Sequence, residues 1–407
     1  MPAAGRPADD VVTVLTDARH GDADWRHGRT FSLIYHSGDP ELEALLERVA
    51  ALFAHDNALN PAAFPSLRRL EKDVVSATAE LLGGRPEAGC MTSGGTESIL
   101  MAVKVARQDA RRRGVQHPNV VVPATAHPAF AKAAHTLGIE ERRVPVGQDL
   151  RADVAAMEGS VDDATAMLVG SAPCYPYGVV DDIGSLAALA RARGILCHVD
   201  ACLGGWLLPF MVDMGRSVPP FDFTVDGVTS MSADVHKFGY STKGASTVLY
   251  RDRDLLGLQH FVFDRWPGGQ YGTPAAAGAR PGAPIATAWA AIHHLGRAGY
   301  QRLARRVLDA FDAFTAGVDA IDGLAVTGEP DFPSLQISSN DPAIEIGGVA
   351  DIMDDRGWHL DRQQGGLHLM LSPYHATVAE QFLADLRLAA QNASASRARP
   401  ATYGGVE

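Results

Sequence analysis

Apolar residues recur along the chain with two different periods, and the changes of period mark the elements. Leu42, Leu45, Leu46, Val49 and Leu52 fall three and four residues apart, which predicts an amphipathic helix over residues 41–55. Residues 57–66 are broken by Pro61 and Pro65 and read as a loop. A second helix is predicted over 67–82, ended by Gly83-Gly84. From there short apolar runs alternate with helical stretches. Strands are predicted at 88–91, 119–122, 165–169, 195–199, 224–228 and 246–250, and helices at 96–113, 128–137 and 184–193. Strands separated by helices build a mostly parallel sheet with helices on both faces. A long helix over about 300–320 leads into 323–368, where the apolar runs are short and β-like, and 377–390 closes the fold as a helix.

The expected organisation is an N-terminal segment over residues 1–57 whose first 20 or so residues form a mobile end, a large α/β domain over 58–305, a smaller C-terminal α+β domain over 306–395, and a disordered tail over 396–407. No internal repeat is present.

Composition narrows the class. The chain has 407 residues, 46% hydrophobic and 21% charged, which is ordinary for a globular protein with a core large enough to bury a cofactor. A net charge of −12 argues against a nucleic-acid or anionic-membrane surface, since both need clustered Lys and Arg. The one basic run, Arg111-Arg112-Arg113, ends a predicted helix, where positive charge is favourably placed. Cys90, Cys174, Cys197 and Cys202 form no CxxC pair and no zinc-type grouping, so no metal is expected and reduced thiols in a cytoplasm are the natural reading. The first ten residues lack the apolar core of a signal peptide, and no apolar run reaches the roughly 20 residues of a membrane span.

The chemistry concentrates where strands end. In an open parallel sheet, ligands bind beyond the carboxyl ends of the strands. There this chain places Thr92-Ser93-Gly94-Gly95-Thr96-Glu97, then Thr125-Ala126-His127, then Ser171-Ala172-Pro173 with Tyr175-Pro176-Tyr177-Gly178, then Asp200, then Asp234-Val235-His236-Lys237. Five polar clusters at equivalent ends converge on one site. The Ser-Gly-Gly-Thr turn opens a helix, where glycines admit close approach and free N–H groups attract a phosphate. By itself it is equally a glycine turn with Thr96 as helix cap, and it is not the GxxxxGK[ST] of a nucleotide-binding loop. Asp200 follows an apolar strand directly, so it is either a helix cap or the partner of a cationic group such as a protonated pyridine nitrogen. A lone lysine is usually solvated surface. Lys237, beside His236 and downstream of Asp200, is a candidate imine former. His127 reads either as an ordinary histidine or as a ring lying flat on a cofactor.

On these residues the chain resembles the fold-type I enzymes that use pyridoxal 5'-phosphate (PLP), which share the aspartate aminotransferase fold. Within them it resembles the sphingosine-1-phosphate lyase family, relatives of the group II amino-acid decarboxylases. The stretches that carry the resemblance are MTSGGTESILMAVKVAR (91–107), TAHPAF (125–130), HVDACLGGWLLPF (198–210), GVTSMSADVHKFGYSTKGASTVLYR (227–251) and the region GGQYGTP to AGARPG (268–282). Weaker ones are DADWRHGR (22–29), FPSLRRLE (64–71) and GWHLDRQQ to LHLML (357–371). The resemblance implies that Lys237 carries the cofactor as a Schiff base, Asp200 pairs with its pyridine nitrogen and His127 stacks on its ring. It implies that Gly95 and Thr96 hold the cofactor phosphate with His236 beside them. Tyr35 and Lys243 match positions that contact a substrate phosphate, and Tyr177 matches a variable pocket position that is a candidate for proton transfer at the substrate hydroxyl. The resemblance also implies a homodimer, with residues 271–280 reaching towards the partner's site.

Two positions depart from the family. The stretch Asn57-Ala58-Leu59-Asn60-Pro61 has Asn60 where the lyases carry a phosphate-binding histidine, and Ala279 stands where a serine usually precedes Arg-Pro-Gly. Both weaken the case for a phosphorylated substrate, leaving open an amino-acid decarboxylase, with Arg280 as the arginine for a substrate carboxylate, or a retro-aldolase on another β-hydroxy amine. A non-catalytic protein that keeps the fold as a binding module would be expected to have lost Lys237 or Asp200; this chain has kept both.

Overall fold

The computed structural model describes residues 1–393, 396–397 and 401–402. In chain order the helices are α1 (Ala8–Ala18), α2 (Pro40–Leu52), α3 (Pro65–Leu81), α4 (Gly95–Arg112), α5 (Ala129–Leu137), α6 (Val154–Gly159), α7 (Ile183–Arg193), α8 (Leu208–Asp213), α9 (Arg253–Gln259), α10 (Gly282–Asp319), α11 (Ile346–Asp355) and α12 (Ala379–Asn392). The strands are β1 (Gly89–Thr92), β2 (Asn119–Pro123), β3 (Glu140–Val144), β4 (Thr165–Ser171), β5 (Leu196–Asp200), β6 (Ser230–Ala233), β7 (Ser246–Tyr250), β8 (Phe261–Phe263), β9 (Tyr271–Thr273), β10 (Leu324–Val326), β11 (Ser334–Ser339), β12 (Asp361–Gln363) and β13 (Gly366–Met370).

Seven strands form one sheet in the order β1-β7-β6-β5-β4-β2-β3. The pairs β2·β3, β2·β4, β4·β5 and β5·β6 are parallel, and only β7 runs against its neighbours β6 and β1. The mostly parallel sheet expected from the alternation is therefore present. Strands β2, β4 and β7 are buried along their whole length, which is why they read as unbroken apolar or small-residue runs. Helix α2 starts where the periodicity put it, with Asp39 accepting from the Glu41 and Leu42 N–H groups and Pro40 in the first turn. The small C-terminal sheet is antiparallel, in the order β10-β11-β13-β12. Its core joins Trp358, Phe314 and Phe382 to Phe31 from the N-terminal segment, which stacks on His375 at 4.3 Å.

Three expectations need correction. The predicted strand at 224–228 is a chain of turns, and β6 begins only at Ser230. Asp222 accepts from the Thr224 N–H and hydroxyl, and Gly227 takes φ +99°, so local turn chemistry overrides the strand propensity of Thr and Val. Strand β3 was not foreseen because its sequence Glu-Glu-Arg-Arg-Val is charged; it lies at the sheet edge, where Arg142 pairs with Asp162 and Arg143 with Glu141. The long helix starts 18 residues earlier than expected, at Gly282, and is interrupted at Gly296, whose φ of 54° ends one helical run and begins the next. The end expected to be mobile carries a helix, α1, none of whose residues is buried. Most of the tail expected to be disordered lies outside the described residues; within it, the Arg397 N–H donates to Asp351 on α11 at 2.6 Å.

Candidate active site

The rim of the large sheet gathers residues from five strand ends around one cavity of roughly 380 Å³. Ser93, Gly95 and Thr96 come from the turn between β1 and α4, His127 follows β2, Ser171 and Tyr175 follow β4, Asp200 and Cys202 follow β5, and Asp234, His236 and Lys237 follow β6. Asp200 and Lys237, 37 positions apart in sequence, thus face the same space.

The glycine turn is built for close approach. Glu97 accepts from both the N–H (2.7 Å) and the hydroxyl (2.6 Å) of Ser93, which folds the turn back onto the helix start. A Cβ at Gly95 would sit 2.6 Å from the Cys202 sulfur and 3.0 Å from Asp234, so only glycine fits. The first N–H groups of α4, those of Gly95 and Thr96 among them, have no acceptor within the helix and carry its positive dipole end. This is an anion cradle.

Asp200 is buried and held from one side. Its Oδ1 accepts from the Cys202 N–H and the Ser232 hydroxyl, each at 3.1 Å. Ser232 in turn lies 3.4 Å from Nε2 of fully buried His198, whose Nδ1 contacts Ser230 at 2.9 Å. Burial pushes the His198 imidazole down to about 4, so it braces the carboxylate as a neutral ring. Among the described residues no hydrogen bond to the other Asp200 oxygen is present. Nδ1 of His127 accepts the Ala129 N–H at 3.1 Å, and burial holds its imidazole below the ordinary value, against the pull of Asp200.

Lys237 reaches across the cavity floor to Asp234 at 2.9 Å. Asp234 is buried, and among the described residues its second oxygen, Oδ1, has no partner within hydrogen-bond geometry, the Ser246 hydroxyl being its neighbour. Burial alone would raise this carboxyl; the Lys237 charge, with help from His236, instead holds it below the usual range. His236 receives the Ala245 N–H on Nδ1 at 3.2 Å, and burial pushes it down to about 4.

At the mouth, Lys243 bonds the His236 carbonyl at 3.3 Å and lies 4.9 Å over the Tyr35 ring, which packs edge-on against Phe238 at 5.0 Å. Desolvation, then the Lys237 charge, bring the Lys243 ammonium down to about 8.

The other expected residues lie elsewhere. Tyr177 lines a neighbouring cavity of roughly 460 Å³ that shares His127 and Tyr175 with the first. Asn60 is exposed and accepts from the N–H groups of Ala62 and Ala63, stabilising its own turn. Arg280 is held by Glu71 through bonds of 2.6 and 3.0 Å and by the Ala58 carbonyl. It does not line the cavity, so in this chain its guanidinium is already committed. The sequence placed Asp234 and Tyr175 in polar clusters at the site without giving either a role, and Ser232 was missed. Asp234 carried the same signal as Asp200, a carboxylate directly after a buried strand. Tyr175 links the two sheets, giving its hydroxyl to Asp361 at 2.7 Å while its carbonyl accepts from Ser334 of β11 at 2.8 Å.

The donor set fits PLP. An N-terminal helix cradle suits the phosphate, a carboxylate with one free oxygen suits a pyridinium N–H, and a lysine beside the buried Asp234 suits the aldehyde. Among the described residues no helix is long and apolar enough to cross a membrane, and no cluster could hold a metal.

Residues 18–335 match the model of the pyridoxal-dependent decarboxylase conserved domain. The chain is 41% identical to the sphingosine-1-phosphate lyase of Arabidopsis thaliana, with 95% of this chain and 73% of that one aligned. It is 40% identical to sphingosine-1-phosphate lyase 1 of Rattus norvegicus, over 95% and 69% of the two chains. The solved structure of a Burkholderia pseudomallei sphingosine-1-phosphate lyase superposes with a TM-score of 0.92 at 39% identity, covering 97% of this chain and 92% of that one.

Proposed function

The chain belongs to the pyridoxal-dependent decarboxylase family and, within it, to the sphingosine-1-phosphate lyases, and from that premise we propose that it cleaves a phosphorylated sphingoid base to a long-chain aldehyde and phosphoethanolamine. The observation that carries this reading is the single cavity shared by Lys237, Asp200 and the Gly95 cradle in a chain about 40% identical to lyases over nearly its whole length.

PLP, when bound, supplies the aldehyde that joins the substrate amine and a ring that takes up the electrons of the broken bond. Gly95, Thr96 and His236 hold its phosphate, with the backbone N–H groups as donors. The Asp200 oxygen that has no hydrogen bond among the described residues would receive the ring N–H, and Ser232, next to His198, orients that carboxylate. His127, which lines the cavity, would cover the ring and keep water from one face. Lys237 carries the cofactor in the resting enzyme. After the carbon–carbon bond opens, it returns a proton to the amine-bearing carbon. Which bond breaks depends on which is held perpendicular to the ring, a matter of anchoring the substrate.

Lys243 and Tyr35 anchor the substrate phosphate at the mouth, with Lys243 acting as a point charge. Asn60 and Arg280 serve the loop next to this mouth, and the Asn57 side chain links them by accepting the Arg280 N–H at 3.0 Å. Tyr177 takes part from the neighbouring cavity, as a proton carrier for the substrate hydroxyl. The commitment of Arg280 to Glu71 favours the lyase over decarboxylation, because among the described residues no arginine lines the cavity to receive a substrate carboxylate.

Residues 58–305 form the cofactor-binding domain and 306–395 the smaller domain. The working unit is a homodimer in a cytoplasm. The β8–β9 hairpin supports this: Phe261, Val262 and Trp266 are 51, 58 and 51% exposed in the single chain, next to the 271–280 segment. The test is to incubate the holoenzyme with a phosphorylated sphingoid base and, separately, with aspartate, glutamate and tyrosine, measuring aldehyde and carbon dioxide. Aldehyde with equimolar phosphoethanolamine from the first is expected. Carbon dioxide from an amino acid without aldehyde from the sphingoid base would overturn the reading.

A further inference from the structure

Asp234 has no role in the chemistry above, yet it is the group Lys237 touches. A buried carboxylate with one oxygen bonded to a lysine at 2.9 Å, and no hydrogen-bond geometry on the other among the described residues, is costly to maintain. A helix cap or a loop bond would not explain it. Its backbone N–H reaches the Cys202 carbonyl at 3.4 Å, and its carboxylate points into the cavity beneath the Gly95 cradle.

We propose that Asp234 is the standing counter-ion of Lys237, which keeps that lysine an ammonium whenever its nitrogen is not bonded to the cofactor, so that the lysine released by substrate re-enters the reaction as a proton donor and not as a base. This deepens the lyase reading and rests on it for the proton-donor step; the charge state of Lys237 in the cofactor-free protein does not depend on it. The proton balance is simple. The substrate enters as an ammonium and gives its extra proton to the lysine amine it displaces, the Asp234 charge stabilises the resulting ammonium, and that same proton passes to the amine-bearing carbon when the aldehyde has left. The lysine is then neutral again and able to re-form its bond to the cofactor.

Several charged or titratable groups face this pair. Asp234, His236 and Lys243 come from the loop after β6, Tyr35 from the N-terminal segment, Asp200 and Cys202 from the end of β5, and His127 from the end of β2. Burial disfavours an ammonium here, and Asp234 is the largest influence that opposes it, leaving Lys237 well above the ordinary lysine value. Lys243 works the other way, as a second cation.

The pair can be read without turnover. In the cofactor-free protein, Lys237 is labelled with acetic anhydride at a series of pH values and the labelled peptide is quantified by mass spectrometry, since only the free amine reacts. In the native chain the rate should climb about tenfold per pH unit past 10 with no plateau. In Asp234→Asn the ammonium loses an opposite charge at contact distance, worth one to three pH units, so labelling at pH 8 should be at least about tenfold faster, and Asp234→Glu should restore slow labelling. A plateau in the native chain below pH 10 would refute the proposal. So would an Asp234→Asn variant, folded by its melting curve, that labels at the native rate. Should that variant not fold, the native profile alone decides. Loss of lyase activity with these labelling profiles intact would count against the lyase reading, not against the pairing.

Discussion

The floor and the mouth of the cavity are built differently. On the floor each functional group is held by a neighbour: Asp200 by Ser232 and the Cys202 N–H, Asp234 by Lys237, the glycine turn by Glu97. At the mouth, Lys243 has one carbonyl bond and a ring beneath it, and Asn60 is spent on its own turn. The floor is over-determined and tolerates one chemistry. The mouth is lightly held and is where substrate choice can change without disturbing the cofactor, and both departures from the family, Asn60 and Ala279, fall outside the residues that line the floor.

Substitutions should respect this division. The largest effect belongs to Lys237→Ala, which should abolish both the visible absorbance of the bound cofactor and all turnover. Asp200→Ala should keep the colour but lower kcat about 10²- to 10³-fold, by removing a preorganised charge from a dry site; a change in KM alone would move Asp200 from the floor to the mouth. Gly95→Ala forces a methyl to within 2.6 Å of the Cys202 sulfur. Overpacking of this kind costs about 1–3 kcal/mol, expected here as weaker PLP binding by titration.

The mouth should answer through KM. Lys243→Ala should raise KM for a phosphorylated substrate about tenfold or more, the value of a charge-assisted hydrogen bond, and leave kcat within a fewfold. Its pH dependence has a definite sign. Lys243 is charged below about 8 and neutral above it, so KM should be low below pH 8 and rise as the pH climbs through that value; in Lys243→Ala the rise should disappear. The smallest effect is expected from Asn60→His, which adds an imidazole next to the mouth and should lower KM a fewfold without changing the absorbance. If Asn60→His instead changed kcat or the colour, the separation of floor from mouth would be broken.

Much of the floor was legible because it is local. The glycine turn, His127, Asp200 and Lys237 each end a strand, and strand ends can be read from apolar runs. The sheet class followed from the same alternation. What escaped depends on partners distant in sequence. Arg280 looked free to bind a carboxylate until the fold brought Glu71, 209 positions away, against it. Tyr177 and Tyr175 sit two residues apart, yet of the two only Tyr175 lines the main cavity, where the chain turns at Gly178 so close to the Ser334 carbonyl that no Cβ fits there. Strand β3 was hidden by charge that an edge position permits, and the first half of α10 by an alanine-rich stretch, Ala283 to Ala291, that lacks a polar face to mark its period.

The central claim is that one particular lysine on this floor holds the cofactor. Reducing the coloured holoenzyme with borohydride and mapping the modified peptide by mass spectrometry tests it directly. The pyridoxyl group should be found on Lys237, with the absorbance of the bound cofactor lost in step. Recovery of the label on Lys243, or on no lysine of the 227–251 segment, would contradict the account.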